Sequence, residues 1–222
     1  MDWPALSLSL RLAFWTCVIL IPLGVVIARV LAFRAVRAKG LIEALVALPL
    51  VLPPTVLGYY LMVLMGNATP LGQAWAALTG RSLVFTFEGL LIASILFNLP
   101  FAVQPLQRAF DAIPPSLREA AWVGGMSAWT TFRRVELPIA WPGLLSALVL
   151  TFAHTLGEFG VVLMVGGSIP GETKTVAIAI YDRVQAFDDA AAGVMSMFLL
   201  LFSFLAIALV FVLGGRVARR RD

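Results

Sequence analysis

Five long apolar stretches alternate with short polar segments along this chain. They cover residues 8–32, 41–65, 89–110, 141–165 and 192–213. A helix needs about 20 mainly apolar residues to cross the roughly 30 Å hydrocarbon core of a bilayer, and each stretch is long enough to do so. The pattern therefore predicts an all-α, polytopic membrane protein with five transmembrane helices.

The composition supports this interpretation. Hydrophobic residues make up 61% of the 222 residues and charged residues only 13%, whereas a soluble domain is closer to half apolar and a quarter charged. The five stretches leave no room for a separate soluble domain, so we expect residues 1–222 to form a single transmembrane domain. Cys17 is the only cysteine and lies in the first stretch, which excludes an intrachain disulfide and a cysteine metal cluster.

The positions of the positive charges predict the orientation. Of the 16 Lys and Arg residues, 12 lie at stretch ends that share one side of the membrane, and four lie on the other side. Positive charge stays in the cytoplasm, which places the N-terminus outside and both segment 111–138 and the C-terminus inside. The alternative for the first stretch is a cleaved signal peptide, but such a peptide carries its positive charge before a shorter apolar core. Here the charges follow the core: they are Arg29, Arg34, Arg37 and Lys39.

Segment 111–138, which we call loop 111–138, has the signals of a short helix. Pro114-Pro115 end the third stretch, because proline cannot continue the hydrogen-bond ladder of a helix. Ser116 and Glu119 have the spacing of a capping box, in which each side chain bonds a free amide at the helix start. We expect a short helix over residues 117–123.

A second short helix is expected after a glycine elbow. Gly124 and Gly125 can take the left-handed conformation that ends the first helix. Ser127 can cap a second helix that reaches about Arg134, before Pro138 leads into the fourth stretch. The loop is then either a docking surface for another protein or a plain solvated loop with one capped helix. The small and aromatic side chains expected on its surface are Ala120, Ala121, Trp122, Trp129 and Phe132.

The same loop resembles a known motif. Glu119-Ala120-Ala121, Gly125 six residues beyond Glu119, and Val135-x-Leu137-Pro138 resemble the EAA loop of binding-protein-dependent ABC import permeases, with Val135 in place of the usual Ile. The resemblance extends across all five stretches and implies the type I ABC importer permease fold. In that family the loop is the coupling helix, which inserts into a cleft of a cytoplasmic ATPase subunit. The residues assigned to ATPase coupling on this basis are Ser116, Glu119, Ala120, Ala121, Gly125, Leu137 and Pro138.

The chain has no nucleotide site of its own. Its best match to a P-loop is residues 166–173, but Glu172 stands where the phosphate-binding lysine belongs. We therefore expect a non-catalytic membrane subunit without a cofactor, and the resemblance implies that separate cytoplasmic ABC ATPase subunits bind ATP and Mg.

The resemblance also implies further partners and a location. An extracytoplasmic oxyanion-binding protein would dock on the outer segments 67–87 and 166–191, and the chain would lie in the bacterial cytoplasmic (inner) membrane. Five helices make a thin wall, so a second copy related by a two-fold axis would enclose the pathway. The lipid bilayer surrounds the chain, and we expect no nucleic-acid partner.

Two further segments bear on the cargo. Residues 156–160 read Leu-Gly-Glu-Phe-Gly, and residues 168–175 contain Ile-Pro-Gly-Glu-Thr. Together they resemble the molybdate branch of these permeases, whereas sulfate permeases share Gly-Glu-Phe-Gly but resemble this chain less in the outer segment. The resemblance thus implies molybdate first, tungstate as almost indistinguishable chemically, and sulfate third.

Polar residues within the apolar stretches are candidates for the pathway or its gate. Glu158 is deep in the fourth stretch, where an ionised carboxylate is costly, and His154 lies four residues earlier, within hydrogen-bonding reach. They form a structural pair or a gate element; a metal site is disfavoured because a third ligand is missing. Thr55, within the proline-rich residues 48–58, either lines the pathway or marks a kink. The polar residues expected to form interhelical hydrogen bonds instead are Asn98, Gln104 and Gln107.

A different class of protein stays open as the alternative. In a secondary transporter driven by an ion gradient, His154 and Glu158 would form a proton relay. Such folds usually carry an internal repeat, and the sequence shows none. A membrane-embedded enzyme is disfavoured further, because few polar residues lie within the stretches.

Overall fold

The computed structural model describes the backbone of residues 1–218 and their side chains apart from those of 209–211 and 213–218. Within this part the chain is helical with connecting turns and contains no strand, as the apolar pattern predicts. Arg219, Arg220 and Arg221, which entered the charge count, lie outside it. The helices are α1 (Trp3–Phe33), α2 (Lys39–Val51), α3 (Pro54–Met65), α4 (Pro70–Thr79), α5 (Phe87–Asp111), α6 (Pro115–Val123), α7 (Ala128–Thr131), α8 (Leu137–Leu156), α9 (Gly160–Gly166), α10 (Val176–Gln185) and α11 (Asp189–Ala218).

Three long helices, α1, α5 and α8, form the centre of the bundle. Toward loop 111–138 their packing includes the buried side chains of Leu106 and Phe110. Gly143 of α8 lies so close to α5 that an added Cβ would overlap the Cβ of Ala109. Lipid provides little hydrophobic drive between helices, so close approach at small residues supplies the packing. The contact makes α5 and α8 one rigid unit at this end.

The second apolar stretch is broken rather than kinked. Helix α2 ends at Val51, α3 begins at Pro54, and the two axes differ by 111°. Consecutive prolines explain the break, because Pro53 cannot extend α2 whereas Pro54 suits the first position of a new helix. The predicted span 41–65 is therefore two half-helices.

The fourth apolar stretch, predicted as one span over 141–165, is also divided. Helix α8 ends at Leu156, the chain turns at residues 157–159, and α9 continues for only seven residues. Hydropathy did not reveal this break because α9 is as apolar as α8. The Glu158 side chain, described below, stabilises the turn.

The half-helices α3 and α9 pack against each other through glycines. A Cβ at Gly58 would lie 2.8 Å from the Cβ of Met164, and a Cβ at Gly160 would lie 2.9 Å from that of Pro54. Gly160 and Pro54 are the first residues of their helices, so the two broken stretches meet at their breaks.

The outer segments 67–87 and 166–191 contain short helices that the apolar pattern did not predict. Thr69 caps α4 and Thr175 caps α10, each side chain accepting a hydrogen bond from an amide in the first turn. Helix α10 packs against Ala5 near the start of α1. Both segments are thus ordered surfaces rather than irregular loops.

Candidate coupling site and gate

Loop 111–138 folds into two short helices joined by a glycine elbow, as predicted. Helix α6 ends in a Schellman motif: the N–H of Gly125 donates to the carbonyl of Trp122, and that of Met126 to the carbonyl of Ala121, each at 3.0 Å. Gly125 has φ = +77°, whereas Gly124 has φ = −74°. Only the second glycine, the one in the EAA motif, therefore takes the left-handed conformation.

The predicted capping box at the start of α6 is wrong. Helix α6 begins at Pro115, and no described side chain caps it. Ser116 is thus already inside the first turn instead of preceding it, because Pro115 is well suited to the first helical position and lacks an N–H that would need a partner. The second predicted cap is confirmed, since Ser127 Oγ accepts from the N–H of Thr130 at 3.2 Å at the start of α7.

The second short helix continues into the fourth stretch instead of ending before Pro138. Helical backbone runs from Ala128 to Leu156, and a π-helical turn at Phe132–Glu136 precedes the proline. The wider turn, in which the N–H of Leu137 donates to the carbonyl of Phe132, accommodates a proline that has no N–H to donate. Helix α7 is therefore a rigid extension of α8.

The residues that match the EAA motif divide between surface and interior. Ala121 is only 6% exposed and Leu137 is half-buried, so the low-relief face expected of both alanines is formed by Ala120 alone. Phe132, expected at the surface, is half-buried. The residues assigned to coupling that lie at the surface are Ser116, Glu119, Ala120, Gly125 and Pro138. The large apolar side chains exposed beside them are Leu117, Trp122, Val123 and Trp129.

A buried carboxylate that the sequence analysis did not single out connects this loop to α1. Glu136 is fully buried; its Oε2 accepts from Arg29 Nε at 2.5 Å and its Oε1 from Arg118 Nε at 3.0 Å. A buried charge is tolerated only when it is paired and hydrogen-bonded, so these three side chains, which we call the clamp, hold α1, α6 and the start of α8 together. The only sequence signal was an acidic residue at the unspecified position of Val-x-Leu-Pro.

Aromatic rings fix the orientation of the clamp arginines. The guanidinium carbon of Arg118 lies 3.7 Å from the ring centroid of Phe33 and 4.9 Å from that of Trp122. That of Arg29 lies 5.4 Å from the centroid of Phe132. Cation–π contacts of this kind add to the ion pairs, so α6 is held against the end of α1 from two directions.

A second buried carboxylate, Glu158, stabilises the turn between α8 and α9. Its side chain accepts from Ser94 Oγ at 2.5 Å and from the Asn98 amide, both on α5. His154 does not bond it directly, because its Nδ1 lies 3.9 Å from the carboxylate but 3.0 Å from Asn98 Oδ1. Asn98 thus links His154 to Glu158, which share no direct hydrogen bond, and the interhelical role predicted for Asn98 is confirmed. Gln107 has the same role, donating to Glu43 at 2.6 Å.

Thr55 lies where the two half-helices meet. It is exposed on the surface of the single chain, and its backbone nitrogen would be 3.5 Å from a Cβ at Gly160. Glu158, only 3% exposed, is two residues before Gly160 and buried. Thr55 is therefore on the accessible side of the junction between α3 and α9, whereas Glu158 is buried and stabilises the turn that precedes α9.

The outer Ile-Pro-Gly-Glu-Thr run forms an ordered turn. Thr173 Oγ1 donates to the carbonyl of Gly166 at 2.6 Å and accepts from the N–H of Ile169 at 3.1 Å. Lys174 Nζ lies 2.7 Å from an Asp182 oxygen on α10. The run is thus attached to both α9 and α10, which gives its surface a defined shape.

The sequence is similar to those of several permeases. The Molybdenum transport system permease protein ModB of Azotobacter vinelandii is 50% identical over 206 residues, which cover 93% of this chain and 91% of that protein. The protein of the same name from Haemophilus influenzae is 37% identical over 185 residues, 83% of this chain and 81% of that protein. A probable sulfate transport system permease protein, cysT, of Chlorella vulgaris is 32% identical over 206 residues, 93% of this chain and 77% of that protein.

Solved ABC importers have the same fold. A bacterial ABC transporter involved in the import of the acidic polysaccharide alginate matches with a TM-score of 0.74 at 17% identity, over 98% of this chain and 78% of that chain. The inward-facing MetNI methionine ABC transporter matches with a TM-score of 0.66 at 20% identity, over 100% and 94%. These matches establish the predicted type I importer permease fold. The family model for the binding-protein-dependent transport system inner membrane component matches residues 20–221, and this chain belongs to that family.

Proposed function

We propose that this chain is the membrane permease of an ATP-driven importer of molybdate. The main support for the proposal is the pair of short helices α6 and α7, which are joined by the turn at Gly125 and held against the bundle by the clamp. Such a surface can receive motion from a soluble partner without deforming. The partner is a cytoplasmic ABC ATPase, which binds ATP and Mg, and the chain itself is the non-catalytic subunit.

The clamp supplies the path by which this motion reaches the membrane. The exposed residues Glu119, Ala120 and Trp122 contact the ATPase on the cytoplasmic side, where the charge count places loop 111–138. Force on α6 passes through Arg118 and Glu136 into α1 and α8 together, because one carboxylate bonds both arginines. Rigid-body movement of the bundle follows from this connection.

The junction of α3 and α9 forms the gate. Thr55 lines the pathway, and the buried Glu158 positions α9 from behind without touching the cargo, since an anion is not attracted to a carboxylate. Two copies of the chain place their junctions around a two-fold axis, which closes a pathway that five spans cannot enclose alone. Discontinuous helices at membrane depth are typical of transport pathways.

The outer segments receive the loaded binding protein. Helix α4 presents the exposed apolar residue Leu78, and the turn after α10 presents Phe187; these side chains are 84% and 91% exposed. Similarity to the molybdenum permeases supports molybdate as the cargo. Tungstate is almost indistinguishable from molybdate chemically, and sulfate is the third candidate because the probable sulfate permease also aligns over 93% of this chain.

Uptake by proteoliposomes tests the proposal. The chain is co-expressed with the ATPase and binding protein of its own genomic neighbourhood, and uptake of molybdate, tungstate and sulfate is measured with and without internal ATP. We expect ATP-dependent uptake of molybdate and tungstate in preference to sulfate.

The outcomes separate the cargo from the mechanism. Preference for sulfate with retained ATP dependence would overturn the cargo alone. Uptake that needs a proton gradient but no ATPase subunit would overturn the ABC mechanism and support the secondary transporter.

A further inference from the structure

A groove with an apolar floor lies between α1 and α7 at the end that carries loop 111–138. It has a volume of about 250 Å³ and is lined by Val25, Val26, Arg29, Val30, Ala128, Trp129 and Phe132. Val26 and Trp129 are 60% and 64% exposed. The groove therefore leaves a large apolar surface uncovered on the single chain.

A basic hollow adjoins this groove and shares Trp129 with it. It is lined by Trp129, Thr130, Arg133 and Arg134. Both arginines are exposed, and neither forms an ion pair with any described residue, whereas Arg29 at the groove floor is paired with Glu136. The hollow thus has two positive charges available for an anionic ligand.

The groove and the hollow adjoin as the acyl chain and head group of a lipid do. The groove covers about 8 Å of α1, from Val25 to Val30, and meets the two arginines of the hollow at the shared Trp129. Tryptophan favours the interface between head groups and hydrocarbon. Basic pockets between helices on the cytoplasmic side attract anionic head groups.

We propose that the groove and hollow bind one anionic diacyl phospholipid of the cytoplasmic leaflet, with its phosphate between Arg133 and Arg134 and an acyl chain along Val26 and Trp129. The placement in that leaflet rests on the proposed function, which puts loop 111–138 in the cytoplasm. The bound lipid connects α1 to α7 beside the clamp and stabilises the joint through which the ATPase acts.

Lipid binding to the purified permease–ATPase complex tests this site. The complex is titrated with phosphatidylglycerol and phosphatidylcholine in mixed micelles, and bound lipid is counted by native mass spectrometry. We expect preferential binding of phosphatidylglycerol, and a loss of affinity of about 30-fold in the double variant Arg133→Gln/Arg134→Gln. The control Arg34→Gln/Arg37→Gln removes two exposed arginines from the same end of the bundle and should leave affinity within about twofold.

A third variant separates a lipid from other occupants. Val26→Trp fills the groove but keeps both arginines, so it should weaken lipid binding while the ATPase stays bound. Equal losses in both double variants, no preference for phosphatidylglycerol, or unchanged lipid binding with loss of the ATPase from Arg133→Gln/Arg134→Gln would each overturn the proposal. ATP-driven uptake, measured separately with the wild-type chain, tests the proposed function independently of these results.

Discussion

Arg29 and Glu136 are 107 residues apart in the chain, yet their side chains meet at 2.5 Å inside the bundle. The carboxylate is fully buried while the side chain of the arginine is 30% exposed. Arg29 belongs to the first span and Glu136 to the helix that enters the fourth. Their ion pair is thus the direct connection between the candidate ATPase-contacting loop and a span distant in sequence.

Replacing Glu136 by leucine should destabilise the protein and uncouple it. The change leaves Arg29 and Arg118 without a counter-charge. We expect the free energy of unfolding to fall by about 2–4 kcal/mol, which is less than for a fully buried pair because the arginines keep some contact with water. Thermal unfolding in detergent measures the loss, and uptake per ATP hydrolysed measures the coupling. The control is Glu88→Gln. The partner of Glu88, Arg81, is 55% exposed, so losing this ion pair should lower the free energy of unfolding by less than about 1 kcal/mol. Equal melting temperatures of the two variants would contradict the role of the clamp.

Substitutions at Gly125 distinguish backbone conformation from steric fit. A Cβ there meets no atom within 4 Å, but φ = +77° costs most side chains about 1–2 kcal/mol, and asparagine tolerates it better. We expect Gly125→Asn to retain more ATPase binding than Gly125→Ala, although asparagine is larger. The reverse order, measured by co-purification, would mean that the ATPase surface itself has no room for a side chain.

Gly58→Ala should open the contact between the two half-helices. The new methyl group would lie 2.8 Å from Met164 Cβ and 3.1 Å from Val161 Cα, and forced overpacking of this kind costs about 1–3 kcal/mol. Gly193→Ala on α11 is the control, because a Cβ there meets nothing within 4 Å and should be neutral or stabilising by up to about 1 kcal/mol. Unfolding midpoints and uptake rates are compared; if both variants transport alike, the junction is not part of the gate.

Glu158→Gln tests whether the carboxylate anchors α9 or moves protons. The glutamine carbonyl can still accept from Ser94, but its NH2 group cannot accept from the Asn98 amide, so an anchoring role predicts that any loss of uptake comes with a loss of thermal stability. Glu158→Leu leaves the polar groups of Ser94 and Asn98 buried without this partner, at a cost of about 1–3 kcal/mol for each. Loss of uptake in Glu158→Gln with unchanged thermal stability would favour a proton relay instead.

The apolar pattern predicted the long helices well because lipid selects for one simple property, an unbroken apolar run. Helices α1 and α5 extend beyond the predicted spans 8–32 and 89–110 by five and two residues at their N-terminal ends and by one residue at their C-terminal ends. The breaks at Pro53 and at residues 157–159 were not resolved, since the apolar runs continue through them. The turn at 157–159 depends on hydrogen bonds from Ser94 and Asn98, more than 50 residues away in the chain.

The features of the candidate site that depend on neighbouring residues were predicted from the sequence, whereas the contacts between residues distant in the chain were not. The left-handed Gly125 and the Ser127 cap follow from neighbouring residues, whereas the capping box failed because the helix starts at Pro115, two positions before the predicted start at residue 117. Glu136 could not be assigned a partner from sequence, because nothing local indicates that Arg29 and Arg118 converge on it. Whether the motif residues contact an ATPase stays a prediction.

In the proposed mechanism, the continuous helix from Ala128 to Leu156 would act as a lever. Its 29 residues give it a length of about 43 Å, so a tilt of about 10° at the loop end displaces the far end by about 7 Å. That far end is one short turn away from Gly160 and Thr55. In the proposed mechanism, the displacement at the junction of α3 and α9 would therefore depend on the length of this helix and on the position of its pivot.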